Sequence, residues 1–135
     1  MIIVILLVNF AVERIRNVIV YKRYLYDFVN SLSSKTKNKV IQILYLLTVA
    51  EKIPAKFFKH IEGTDGLYEI RVEYSSNIYR IFCCFDEGKI IVLFNGFQKK
   101  SQKIPHNEID KALKIKELYF KGKKYGEETQ PLDFI

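Results

Sequence analysis

An α+β fold, an antiparallel sheet with helices packed on one side, is what this chain predicts. Three observations carry it: three consecutive runs with strand alternation between Leu67 and Asn95, two apolar stripes at helical spacing before them, and a further helical stretch after them. In Leu67–Tyr74, Tyr68, Ile70, Val72 and Tyr74 share one face and Leu67, Glu69, Arg71 and Glu73 the other. In Ile78–Phe85, Tyr79, Ile81, Cys83 and Phe85 alternate with Ile78, Arg80, Phe82 and Cys84. Ser75-Ser76-Asn77 is turn chemistry between these runs. Asp86-Glu87-Gly88 is a hairpin turn before Lys89–Asn95, with Gly88 suited to the left-handed position of a three-residue loop.

The other elements follow in order. Ile15–Tyr21 is β-branched and reads as a first strand. Tyr24, Leu25, Phe28, Val29 and Leu32 have helical spacing. Ser33 and Ser34 offer a cap for a second helix, whose apolar stripe is Val40, Ile41, Leu44, Leu47 and Thr48. Lys35, Lys37 and Lys39 stand near its start, against the helix dipole. Pro54 ends the helical region, and Ala55–Gly63 reads as a loop or short turn. A final helix runs from Pro105 or Glu108 to Phe120, with Asn107 and Asp110 spaced to cap it. The order is β-α-α-β-β-β-α. One domain is expected over residues 1–135, with a core at about 14–120, an apolar extension at 1–13 and a polar, loosely held tail at 121–135.

Composition bounds the class. The chain has 135 residues, 49% of them hydrophobic, with ten Phe and nine Tyr, enough for an ordinary core. The formal net charge is +7. Between Phe97 and Lys124, nine lysines face only Glu108, Asp110 and Glu117, whereas Glu127, Glu128 and Asp133 make the end acidic. A basic body suits a polyanion, nucleic acid first and an acidic protein second. Cys83 and Cys84 are adjacent in a strand and point to opposite faces, so no ordinary disulfide joins them. With two His and no CxxC there is no visible zinc site, and the chain reads as one of a reducing compartment. Met1–Val8 is apolar but too short to span a bilayer and lacks a basic leader. An added edge strand, a partner-binding arm and an upstream start codon are all compatible with it.

Two arginines stand out. Arg71 and Arg80 sit mid-strand in an apolar sheet, where a charge must find a partner. An even first loop, either Ser75-Ser76 alone or Tyr74–Asn77, places them directly opposite; an odd loop separates them between faces. Glu69 and Glu73 are spaced to neutralise Arg71, and no acid on the second strand does the same for Arg80. With Lys99 and Lys100 just past the last strand, the stretch is a candidate phosphate site.

The chain resembles the HigB-like branch of the RelE/ParE superfamily of bacterial type II toxins, a phage-derived toxin-like family. The residues that carry the likeness are Lys22-Arg23-Tyr24 with Asp27-Phe28, Pro54 with Lys56-Phe57-Phe58-Lys59, and the run Glu62 to Val72. Asn77-Ile78-Tyr79-Arg80-Ile81-Phe82, Asn95 to Lys103, Glu108-Ile109 and Ala112 complete it. It covers about residues 20–120. The resemblance implies a cytoplasmic bacterial protein with a RelE/ParE-like fold, held inactive by a cognate helix-turn-helix antitoxin. It further implies an mRNA endoribonuclease that works on the ribosome, without metal or cofactor, by attack of the ribose 2′-OH on the adjacent phosphate. In that setting Arg71 and Arg80 clamp the phosphate, and Lys99 and Lys100 neutralise charge beside it. His106 leads and His60 follows as candidates for proton transfer, and Lys56, Lys59 and Lys103 hold RNA. Related RNA-cutting members carry lysines where this chain has Glu69 and Arg71, and a Thr where it has Ile104. Two other readings are a gyrase inhibitor of the ParE kind and a non-catalytic toxin-fold protein that binds an antitoxin.

Overall fold

The computed structural model describes residues 13–99, 104–124 and 129–133. The apolar segment 1–12, Lys100 and Lys103 lie outside them. The elements are β1 (Asn17–Tyr21), α1 (Tyr24–Asn30), α2 (Ser34–Val49), β2 (Phe58–His60), β3 (Tyr68–Tyr74), β4 (Asn77–Asp86), β5 (Ile90–Lys99), α3 (His106–Lys124) and β6 (Thr129–Pro131). The sheet has the order β2-β3-β4-β5-β1-β6. Only β1 and β5 are parallel; the other pairs are antiparallel. This is the α+β architecture expected and is consistent with a RelE-like fold.

Helices cover both faces of the sheet, not one. Val18, Val20, Ile70, Val72, Ile81, Cys83, Ile91 and Leu93 form one core with Leu25 and Val29 of α1 and Val40, Leu44 and Leu47 of α2. Leu67, Phe82, Cys84, Val92 and Phe94 form another with Ala112, Ile115 and Tyr119, the inward stripe of α3. Cys83 and Cys84 are both free and lie in different cores, as their adjacency requires. The reason is legible in β4 and β5, which are apolar at successive positions rather than alternating, the mark of a sheet buried twice.

Local chemistry sets the helix ends. The Ser33 hydroxyl accepts from the Thr36 N–H at 3.3 Å and caps α2. At the other end the Arg16 guanidinium donates to the carbonyls of Leu47, Ala50 and Glu51, satisfying acceptors that the last turn leaves open. Helix α3 begins at His106, so Asn107 lies inside it; the Pro105 carbonyl takes the first bonds, from Glu108 N and Ile109 N.

Three other differences from the sequence reading have physical causes. The segment Ala55–Gly63 contains β2, which the sequence read as loop because three residues are too few to show alternation. Strand β5 runs on to Lys99, past the turn-like Asn95-Gly96. Phe94 and Asn95 together oppose Phe82 in a bulge, which keeps the strand paired with β4. Gly96 then passes under the Phe28 ring of α1, where a Cβ would come closer than 3.0 Å to three ring atoms. The tail is not loose throughout: β6 pairs with β1, Leu132 is buried among the α1–α2 core residues, and the Asp133 N–H donates to the Tyr26 hydroxyl.

The β4–β5 hairpin is tied to α3 through Asp86. Its carboxylate accepts from Tyr119 at 2.6 Å and from Lys123 at 2.7 Å. Burial works to raise its pKa, but these two bonds overcome that and hold the carboxyl below its ordinary value. A depressed folded value means the stabilisation is complete at neutral pH and is lost as the pH falls from about 4 through the folded value.

Two outcomes are expected. Gly96→Ala, which must push the Phe28 ring aside, lowers stability by about 1–3 kcal/mol in urea unfolding, and Phe28→Leu added to it recovers part of the loss. Asp86→Asn costs about 1 kcal/mol at pH 7, and its deficit against the parent closes in unfolding titrations below about pH 4.

Candidate functional site

The register of β3 and β4 places the charges. Tyr74 pairs with Asn77, so the loop is the even one, Ser75-Ser76, and Arg71 lies directly opposite Arg80. Both serines have positive φ, 52° and 64°, the pair of left-handed residues that a two-residue turn of this twist requires. Like charges opposed on a sheet repel. The repulsion is relieved by one acid for each arginine, the first beside it on β3 and the second diagonally across from β4. Arg71 donates from Nε and Nη2 to the same Glu73 oxygen, at 2.9 and 2.8 Å. Arg80 donates from Nη1 to Glu69 Oε2 at 2.5 Å. Glu69, expected with Glu73 to neutralise Arg71, serves Arg80 instead: no acid on β4 itself does so, but Glu69 stands on the neighbouring strand, one diagonal step away.

The two pairs differ in burial. Side-chain exposure is 28% for Arg71 and 65% for Glu73, but 2% for Arg80 and 7% for Glu69. An exposed ion pair is worth about 0–1 kcal/mol, whereas breaking a buried one costs about 3–5 kcal/mol. Arg71 is thus free to trade Glu73 for another anion, and Arg80 is committed to Glu69.

Lys99 joins the buried pair. The expected basic run past the strand begins inside it: Lys99 is the last residue of β5, only 5% exposed, and its Nζ has no hydrogen-bond partner among the described residues. Burial first, and the nearby Arg80 second, hold its ammonium below the usual lysine value, with Glu69 acting the other way. Two cations and one carboxylate are buried together.

Above this floor lies a cleft of about 680 Å³. Its walls come from the Ala55–Glu62 segment, from β3 and β4, and from the start of α3 through Ile104, His106 and Ile109. Of the residues singled out in the sequence, Arg71, Arg80, Lys56, Lys59, His60 and His106 all line it. Lys99 reaches it only through its electrostatic contact with Arg80 and Glu69. Strand β2 pairs Lys59 with Glu69, on the face of the two arginines, and His60 with Tyr68, so the His60 ring lies on the opposite face of the sheet. The His60 ring is held edge-on to Tyr68, with centroids 5.2 Å apart, and its Nε2 lies 3.0 Å from the Thr64 carbonyl oxygen. Phe58 stacks on Tyr68 at 4.9 Å, both packed against the α1–α2 core.

Sequence reasoning missed the partner of Arg80 and the part played by β2. The signal for the first was present: once the even loop is chosen, Glu69 is diagonal to Arg80 and within reach. Glu62 and Ile104 at the rim had no signal of their own. Among the described residues no three His, Cys, Asp or Glu side chains come together as a metal site needs. Also among them, no helix is long and apolar enough to cross a membrane.

If the charge on this floor is balanced as the geometry has it, Glu69→Gln destabilises the chain by about 3 kcal/mol in urea unfolding, and Glu69→Gln with Arg80→Met restores most of it. A model of the family described as phage derived protein Gp49-like (DUF891) matches residues 27–117, a span that contains every cleft residue. No curated protein matches the chain.

Proposed function

The chain belongs to the Gp49-like family of phage-derived proteins, and from that premise we propose that it is the toxin of a type II toxin–antitoxin pair of the HigB-like, RelE/ParE kind, an endoribonuclease that cuts mRNA on the ribosome. The observation that carries this reading is one cleft lined by Arg71, Lys56, Lys59 and His106, over a floor with an excess of positive charge. Cleavage by the 2′-OH needs a base for that proton, cations for the charge that gathers on the phosphorane oxygens, and an acid for the 5′-oxygen.

Arg71 supplies the direct phosphate contact. Its pairing with Glu73 is exposed and cheap to exchange, and its fork matches two phosphate oxygens. Lys56 and Lys59 extend the contact along the backbone. Arg80, held by Glu69, and Lys99 act from below: they stay put and set a positive potential that costs no reorganisation as the transition state forms. Their shielding from water strengthens that field. Such a toxin works in the bacterial cytoplasm and is silenced by a helix-turn-helix antitoxin encoded beside it, and no cofactor enters the scheme.

Arg71→Ala tests this. Growth arrest on induction and cleavage of translated mRNA both fall, the cleavage rate by about a hundredfold, while unfolding stability changes little. Arrest that persists with intact mRNA and DNA-damage signalling would make the chain a gyrase inhibitor instead. A chain that arrests nothing yet binds its neighbouring antitoxin would be a non-catalytic toxin-fold protein.

A further inference from the structure

A cleft suited to a polyanion carries two exposed carboxylates at its own rim, Glu62 and Glu73. Among the described residues Glu73 is the one that sits on the Arg71 guanidinium. Arg71 donates to it from Nε at 2.9 Å and from Nη2 at 2.8 Å, both to Oε1. These two nitrogens form one edge of the guanidinium, and an edge of that kind is what a phosphate engages with two oxygens. The carboxylate therefore holds, in the free chain, donors that a phosphodiester would use.

The contact is built to be given up and regained. Glu73 is 65% exposed, so its carboxylate is easily rehydrated when it leaves the arginine. Across the strand it faces Ile78, whose side chain offers no donor in place of the arginine. The two residues stand two positions apart on one face of β3, so the acid stays within reach of the arginine and re-forms the pair when the site empties. Arg80 has no such freedom, since its carboxylate is buried with it.

We propose that Glu73 is an internal competitor of the substrate: it occupies Arg71 in the free chain, yields to a phosphodiester of the RNA strand, and retakes the arginine as the strand leaves. This rests on the ribonuclease reading above. The acid holds affinity for RNA down, and in doing so it keeps a cleaved strand from lingering on a cleft rich in cations.

The exchange leaves its mark on the salt dependence. When a strand meets an unpaired arginine, a condensed cation leaves the phosphate, and affinity falls as salt rises. When the arginine is already paired, the displaced carboxylate gathers a cation as the phosphate loses one, and the two nearly cancel. Arg71 is thus almost silent in the salt slope of the parent chain and counts in full once residue 73 is neutral. Glu62 stands on another wall, after β2, and its neutralisation changes the field of the cleft without changing this cation count.

The test is binding of the whole chain to a 2′-O-methyl oligonucleotide, which lacks the hydroxyl needed for cleavage, measured over a salt series. Glu73→Gln is expected to bind about fivefold more tightly at low salt, the release of one exposed ion pair. Its slope of log affinity on log salt is expected to steepen by about 0.7, the increment of one single-strand phosphate contact. Glu62→Gln is expected to keep the parent's slope, and Arg71→Ala added to Glu73→Gln to return to it. Unfolding of Glu73→Gln in urea is expected to change little, because the pair is exposed. A slope for Glu73→Gln equal to the parent's, an equal steepening in Glu62→Gln, or weaker binding by Glu73→Gln overturns the exchange and leaves the ribonuclease standing. A parent that cuts translated mRNA without binding the oligonucleotide does the same. A parent that neither binds nor cuts overturns both.

Discussion

The buried pairing of Arg80 with Glu69 ties the fold to the site. A guanidinium this far from water is tolerated only with a carboxylate in reach, and the carboxylate is in reach only in one register of β3 on β4. That register is closed by Ser75 and Ser76, two residues at positive φ that each cost about 1 kcal/mol or more. A slip of one residue would turn Arg80 toward the helical pair and bring Tyr79 and Ile81 to the cleft, so the partition of the two cores and the charge of the cleft are one constraint. The turn accepts local strain because both of these depend on it.

Directly opposed arginines are an unusual solution, and the acids around them explain why it holds. β3 reads Glu-Ile-Arg-Val-Glu, which flanks Arg71 with a carboxylate on each side along one face. One of these serves the arginine beside it and the other the arginine across the strand. The neutralisation is unequal in depth. The outer pair is wet and exchangeable, the inner pair is dry and fixed, and the buried Lys99 leaves the inner group positive overall. A face built this way keeps an exchangeable cation at the surface above a fixed, buried one.

Much of this was legible in the sequence, and the failures have reasons. The alternation of β3 and β4, the left-handed Gly88 and the Ser33 cap rest on local rules, and the structure bears each out; the first loop, which local rules leave open between even and odd, is even. Strand β2 and strand β6 are three residues long and exist because an edge was there to pair with, which no local pattern announces. Asn95-Gly96 carries the strongest short turn signal in the region, yet it is a bulge and a seat for Phe28, since tertiary packing outweighed it. The side of the sheet that α3 would choose was hidden for another reason. Its amphipathic stripe names a face of the helix, not of the sheet, and only the apolar continuity of β4 and β5 indicated that a second cover was needed. The members of the cleft were found as residue types; their assembly depended on β2 and on the first turn of α3, which residue types do not specify.

The position of α3 matters beyond covering a core. Its middle is fastened to the Ile61–Leu67 turn by Lys116, and its far end to the β4–β5 hairpin by Tyr119 and Lys123 on Asp86. Its first turn, by contrast, forms a wall of the cleft and carries His106 and Ile109. A helix anchored at its middle and end presents its first turn to the cleft with little freedom to drift. His60 is braced by the same turn that Lys116 grips, its Nε2 lying against the Thr64 carbonyl oxygen. Helix and turn are therefore one mechanical unit, while Arg71, Arg80 and Lys99 belong to the sheet.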